Sequence, residues 1–257
     1  MKARQKRKPP HSYRVRTYRR SAGAERLVAS HVQIKETDLH IQADRDVQRR
    51  AEEIVLQCRL QLEEHIIANP PFLYSLVPLP RDFTAPPLVQ QMYDAARRAG
   101  VGPMAAVAGG IAECVGRTLM KEGLQEIIIE NGGDIFIARR SVSHIAVFAG
   151  QSPLSGKVGI ELSPDMVCGV CTSSATVGHS LSRGKADSVT VVAPSAYLAD
   201  AAATRIGNEV ADGGRKSVDE SLLVARTIEG LTGVVVICGE VLGAVGDVKL
   251  VNLEKKA

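Results

Sequence analysis

The stretch Ile127-Ile-Ile-Glu-Asn-Gly-Gly-Asp-Ile-Phe-Ile137 decides how this chain is read. Two apolar, β-branched runs flank a block of turn formers. That is the pattern of a β-hairpin, because a tight turn needs residues that tolerate positive φ. A second stretch, Val234-Val-Val-Ile-Cys-Gly-Glu-Val-Leu-Gly-Ala244, echoes it. Each follows, after some distance, a helical segment rich in small residues. Two similar units of paired strands and helices predict a duplicated α/β fold of the α+β type. It would be built of antiparallel strand pairs with helices, and its site would lie at the join.

Working outward, residues 31–43 alternate apolar and polar and predict one strand, bent near Thr37-Asp38. From Asp44 the period changes. Val47, Ala51, Ile54, Val55, Cys58, Leu62 and Ile66 mark an amphipathic helix that ends before Asn69-Pro70-Pro71. Six prolines in residues 69–87 predict a surface loop. Helices are expected over 87–99 and 104–122. The second carries Gly109-Gly110, and glycine costs about 1 kcal/mol in a helix relative to Ala. The pair therefore points to a close approach by a ligand or another backbone, with tight helix–sheet packing as the simpler cause. Strands are expected at 144–149, 158–162, 188–193, 233–238 and 242–245. Helices are expected from Pro194 to Glu209 and from Ser217 to Leu231, with Ser217 and Glu220 as a capping box.

The chain has 257 residues and a formal net charge of +4. Nine basic and no acidic residues fall in positions 1–20, so the remaining 23 basic against 28 acidic residues leave the body at about −5. Residues 1–22 are expected to form a basic arm, and 23–257 one domain. That domain could divide into two pseudo-repeated lobes, about 23–150 and 151–257. The arm could attract nucleic acid or anionic lipid, or be a solvated extension. No repeated basic motif accompanies it, and aromatic residues make up only 4%, which argues against a base-stacking nucleic-acid binder. No run approaches the length of a membrane span and no apolar run follows the basic start. With an odd count of five cysteines, this predicts a cytoplasmic protein with reduced thiols.

Two segments could carry chemistry. In Leu198-Ala-Asp-Ala-Ala-Ala-Thr204, Asp200 and Thr204 stand at i and i+4 on one helix face with only alanines between. A carboxylate and a hydroxyl with clear space form part of a magnesium site. The alternative is an Asp that favours the helix dipole in the first turn. In Cys171-Thr-Ser-Ser-Ala-Thr-Val-Gly-His-Ser180, hydroxyls and backbone N–H groups could hold phosphate, or the segment could be a polar loop. His179 could touch phosphate, act in acid–base chemistry, or simply be exposed.

Taken in order, Ala-Gly-Gly-Ile-Ala (108–112), Glu-Asn-Gly-Gly-Asp-Ile (130–135), Cys-Thr-Ser-Ser (171–174) and Ser-Val-Thr-Val-Val-Ala…Leu-Ala-Asp-Ala-Ala-Ala-Thr (188–204) resemble the ApbE-like superfamily. Its typical members are FAD:protein FMN transferases. The likeness covers roughly residues 100–210, and the chain looks closer still to a cytoplasmic branch found in anaerobic bacteria and archaea.

The resemblance implies that Asp200 and Thr204 hold Mg2+ with a backbone carbonyl, that of Gly110. It implies that Asn131, Gly132, Gly133 and Asp134 lie beside the flavin, and that Thr172, Ser173 and Ser174 line the cofactor site. It implies that His179 contacts the FAD diphosphate. FMN would then pass to a threonine of an acceptor protein by metal-assisted phosphoryl transfer. Glu113 stands where the family carries a flavin-side lysine, and the family's Asp-Pro-x-Thr-Gly segment is missing.

Cys168-Gly-Val-Cys171 leaves a second reading open, a redox or sulfur relay centred on Cys171 as in sulfide assimilation by anaerobes. A third is a non-catalytic binding module that uses the arm. The expected ligand is a flavin or other small nucleotide, and a homodimer is the candidate assembly.

Overall fold

The structure is a computed structural model, and it describes residues 27–174 and 184–254. The arm expected at 1–22 and His179 lie outside the described residues. One eight-stranded antiparallel sheet dominates, in the order β1-β2-β3-β4-β7-β8-β9-β10. Its strands are β1 (Val28–Ile34), β2 (Thr37–Ala43), β3 (Ile127–Asn131), β4 (Asp134–Ala138), β7 (Val167–Ser173), β8 (Ser188–Ala193), β9 (Gly233–Cys238) and β10 (Val241–Gly246). A smaller three-stranded sheet holds β5 (Ser143–Ala146), β6 (Val158–Leu162) and β11 (Lys249–Asn252), in the order β11-β6-β5. The helices are α1 (Gln48–Ala68), α2 (Pro71–Tyr74), α3 (Pro87–Ala99), α4 (Val107–Lys121), α5 (Ala196–Glu209) and α6 (Arg215–Thr227). Among the described residues, no single helix is long and apolar enough to cross a membrane.

The expected duplication is visible in the chain path. β1 and β2 pair, helices follow, and β3 returns beside β2 with β4 next to it. β7 and β8 pair, α5 and α6 follow, and β9 returns beside β8 with β10 next to it. The two echoing stretches are β3–β4 and β9–β10, each closed by a two-residue turn. At the first turn Gly132 and Gly133 have φ of 69° and 111°, values that glycine adopts without a Cβ penalty. Asn131 is thus the last residue of a strand rather than a turn residue. The halves join where β4 pairs with β7, so the large sheet runs without a break through both.

The sheet separates two apolar layers. Phe136, Ile129, Cys171 and Val191 face the helices, while Ile137, Cys168, Val170 and Val192 face the small sheet. Side chains alternate along a strand, so residues three apart point to opposite faces. Cys168 and Cys171 therefore lie on opposite sides of β7 and do not form a dithiol.

Several local expectations change. The bend expected within 31–43 is a hairpin between β1 and β2, turning at Lys35, whose φ is 53°. The capping box at Ser217 does not form: α6 begins at Arg215, and Ser217 Oγ accepts from the Ala211 and Asp212 N–H groups of the preceding loop. The segment from Cys171 begins as a central strand, because strand pairing on both sides satisfies its backbone.

Candidate functional site

The helix-facing side of the join gathers residues from four elements. Asn131 ends β3, Asp134 opens β4, Cys171 and Ser173 belong to β7, and the first turn of α4 packs above them. Asn131 Nδ2 donates to the Ala108 carbonyl at 3.0 Å and so ties the hairpin to that turn. Asp134 Oδ1 accepts from the Thr172 N–H at 3.1 Å across the β4–β7 seam.

α4 and α5 each supply a carboxylate to the other's N-terminus. Asp200 Oδ2 of α5 accepts from the Gly109 N–H at 2.9 Å, in the first turn of α4. Glu113 Oε2 of α4 accepts from Ser195 Oγ at 2.9 Å, from the Ala196 N–H at 2.5 Å and from the Tyr197 N–H at 3.4 Å. Neither helix is capped by its own N-cap side chain. A first turn leaves several N–H groups without intrahelical partners, and a carboxylate there also meets the positive end of the macrodipole. Glu113 Oε1 meanwhile accepts from Arg117 Nε at 2.6 Å, and that guanidinium lies over the Phe136 ring. The site of a flavin-side lysine in the resembling family is thus filled by an acid whose two oxygens are both engaged within the fold.

The glycine pair permits this contact. A Cβ on Gly109 would press into the Ala196 carbonyl and stand 3.0 Å from the Asp200 Cβ. One on Gly110 would come within 2.6 Å of the Tyr197 ring. The close approach is helix to helix, where helix to sheet was the simpler expectation. Gly110 sits inside α4, where a carbonyl points along the axis toward the next turn. In this turn it is the Gly109 N–H, a donor, that meets Asp200.

Electrostatically the centre is acidic. Burial raises the Asp200 carboxyl well above its ordinary value, and the charge of Asp134 raises it further. Burial, followed by the charges of Asp134 and Asp200, likewise raises the Cys171 thiol. A redox or sulfur relay centred on Cys171 needs an accessible thiol. Cys171 is instead completely buried, with Sγ 3.5 Å from the Ala196 carbonyl. Ser173 Oγ is buried beside it and has no hydrogen-bond partner among the described residues. Thr172 points the other way and pairs its hydroxyl with Thr190 at 2.9 Å, so it offers the site only its backbone. Ser174 is the last described residue before the segment that contains His179.

Among the described residues, no three or more His, Cys, Asp or Glu side chains converge as a metal-binding group. The donors present are nevertheless hard oxygens: Asp200, Asp134, the orphaned Ser173 hydroxyl, and Thr204 one turn along α5. That set suits Mg2+, which takes one or two carboxylates and completes its shell with water and phosphate. Sequence reading missed Arg117, Ser195 and Tyr197. The i,i+4 spacing of Glu113 and Arg117 was the available signal for the first.

A family model described as AbpE bacteria matches residues 19–233. The chain is 40% identical over 230 residues to a UPF0280 protein of Methanococcus maripaludis, covering 88% of this chain and 93% of that one. It is 42% identical over 231 residues to a UPF0280 protein of Methanocaldococcus jannaschii, covering 87% and 93%. Among solved structures, the fold is similar to the apo flavinyl transferase ApbE of Pseudomonas stutzeri, with TM-score 0.51, 16% identity, and 85% and 94% of the two chains covered. It is also similar to the ApbE protein of Thermotoga maritima, with TM-score 0.52, 12% identity, and 84% and 96% covered. At those identities the structural likeness speaks to the fold alone. The model match and the archaeal relatives rest on most of the sequence, and by them the chain belongs to the family described as AbpE bacteria.

Proposed function

We propose that this protein binds a flavin nucleotide, FAD or FMN, together with Mg2+ on the helix-facing side of the β4–β7 join. The observation that carries the reading is the buried Ser173 hydroxyl, unpartnered among the described residues, on the same face as the carboxylates of Asp134 and Asp200. An orphaned buried hydroxyl costs free energy unless a ligand satisfies it. Two neighbouring acids gain from a cation between them. Family membership and the likeness in fold to a solved flavinyl transferase support the same ligand class.

In this reading Asp200 and Thr204 hold the metal. The glycine turn between Asn131 and Asp134 lies beside the flavin. Ser173 and Ser174 approach the diphosphate, Cys171 forms the floor, and His179 keeps the diphosphate role that the resemblance implies. Glu113 acts at one remove, by holding α5 and hence Asp200 in place. Magnesium would neutralise the diphosphate and polarise its phosphorus. The further step is transfer of FMN to an acceptor protein. The acceptor's threonine oxygen would bond to the flavin-side phosphorus as the bond to the AMP phosphate breaks. AMP would leave with the electron pair, and the hydroxyl proton would pass to His179. Cytoplasmic residence is part of the same proposal.

Titration calorimetry with FAD, run with Mg2+ and with EDTA, tests binding. The expected gain from Mg2+ is about ten- to hundredfold in affinity, corresponding to about 1.4–2.8 kcal/mol for one relieved charge repulsion. Equal affinity in both conditions would sink the metal role, and no binding in either would sink the reading. A covalent flavin on a threonine-bearing acceptor decides transfer separately.

A further inference from the structure

The packing of α1 on α4 brings together two cysteines that lie 56 residues apart in sequence. Cys58 sits on the buried face of α1, between Val55 and Leu62, and is 3% exposed. Cys114 sits on α4 and is half-buried. Their sulfurs are 3.1 Å apart, with the Cys58 thiol donating to Cys114. Both thiols are free. A disulfide needs about 2.05 Å between sulfurs, so closure asks for a movement of about 1 Å.

From this juxtaposition we infer that Cys58 and Cys114 form a dithiol–disulfide site, oxidised by a low-molecular-weight disulfide, that locks α1 to α4. The reaction begins at the more accessible thiol. The Cys114 thiolate attacks one sulfur of the small disulfide and breaks its S–S bond, and the first small thiol leaves. Cys58 then attacks the Cys114 sulfur of the mixed disulfide, and the second small thiol leaves. Two electrons pass from the cysteine pair to the small disulfide, and the two cysteine protons end on the two small thiols.

The division of labour follows the surroundings. The hydrogen bond from Cys58 lowers the Cys114 pKa and favours its thiolate, while that same bond and burial raise Cys58. Cys168 and Cys171 are buried on opposite sides of the sheet, and Cys171 Sγ meets the Ala196 carbonyl. α4 also carries the Gly109 and Glu113 contacts to α5. The crosslink would therefore tie α1 to the α4–α5 pair that packs over the β4–β7 join. The inference does not depend on flavin binding.

The test uses the full chain, equilibrated with graded ratios of reduced and oxidised glutathione. The mixture is then quenched in acid, alkylated under denaturing conditions, digested and mapped by mass spectrometry. The expected result is a Cys58–Cys114 peptide as the one crosslink and an intact mass lower by two hydrogens. The melting temperature should rise by about 5–10 °C, because the bond closes a long loop in the unfolded chain. The Cys58→Ala variant should instead stop at a glutathione mixed disulfide on Cys114. Absence of the Cys58–Cys114 peptide at every ratio, or wild-type protein that stops at the mixed disulfide, would overturn the inference.

Discussion

Replacing Glu113 separates two accounts of that residue: an acid facing a bound diphosphate, or a tertiary cap on α5. Its Oε2 receives Ser195 Oγ and the N–H groups of Ala196 and Tyr197, and Ala196 is fully buried. In Glu113→Ala those donors lose their acceptor in a place water does not reach. An unsatisfied buried donor costs about 1–3 kcal/mol, and loss of a cap costs about 0.5–2 kcal/mol. The two overlap in the same bonds, so about 3 kcal/mol is expected rather than their sum. Arg117, nearly half exposed, returns to water at little cost. Glu113→Gln keeps an acceptor oxygen and should lose about 1 kcal/mol.

Glu113→Lys restores the residue type of the resembling family but places a buried cation against the positive end of α5. It should lose about 4 kcal/mol, in line with breaking a buried pair. Urea unfolding followed by circular dichroism gives the order Gln, Ala, Lys of increasing damage. A Glu113→Lys protein as stable as the parent, and binding FAD more tightly, would refute the capping argument and return this position to the ligand.

Four further outcomes are expected. Gly109→Ala should destabilise by about 1–2 kcal/mol in the same unfolding assay: the usual helix gain of about 1 kcal/mol is outweighed by pressing a methyl into the Ala196 carbonyl and by strain on the bond to Asp200. Asp200→Asn, which can still accept from Gly109, should fold and yet lose the Mg2+-dependent part of FAD affinity, whereas Thr204→Val should lose less because water can replace a neutral ligand; an unchanged Asp200→Asn protein would remove the metal from the reading. Alkylation of the native reduced protein should label Cys114 before Cys171, since burial and two carboxylates oppose the Cys171 thiolate. Burial lowers the pKa of His65, which bonds Tyr93 at 3.0 Å, so below pH about 6.5 the unfolded chain takes up a proton that the fold resists; stability should fall as the pH drops, and His65→Gln should flatten that slope in pH-dependent melts.

The sequence by itself determined most of the elements and their duplication, though not the β1–β2 hairpin, β7 or β11. Gly132-Gly133 between β-branched runs allowed little but a hairpin, the period of α1 followed from its buried stripe, and the Val234 echo announced the second unit. The motif order also carried the family resemblance, since it can be read along the chain without knowing what each residue touches. Tertiary structure decided what those residues touch. The polar run after Cys171 begins as a central strand because β4 and β8 satisfy its backbone, and strand alternation then parts Cys168 from Cys171. Glu113 and Asp200 exchange helix ends only because Gly109 and Gly110 let α4 and α5 meet, a contact between segments some 90 residues apart. Periodicity reports which face of an element is buried. It does not report what lies against that face, and the pairing of Cys58 with Cys114 is decided there.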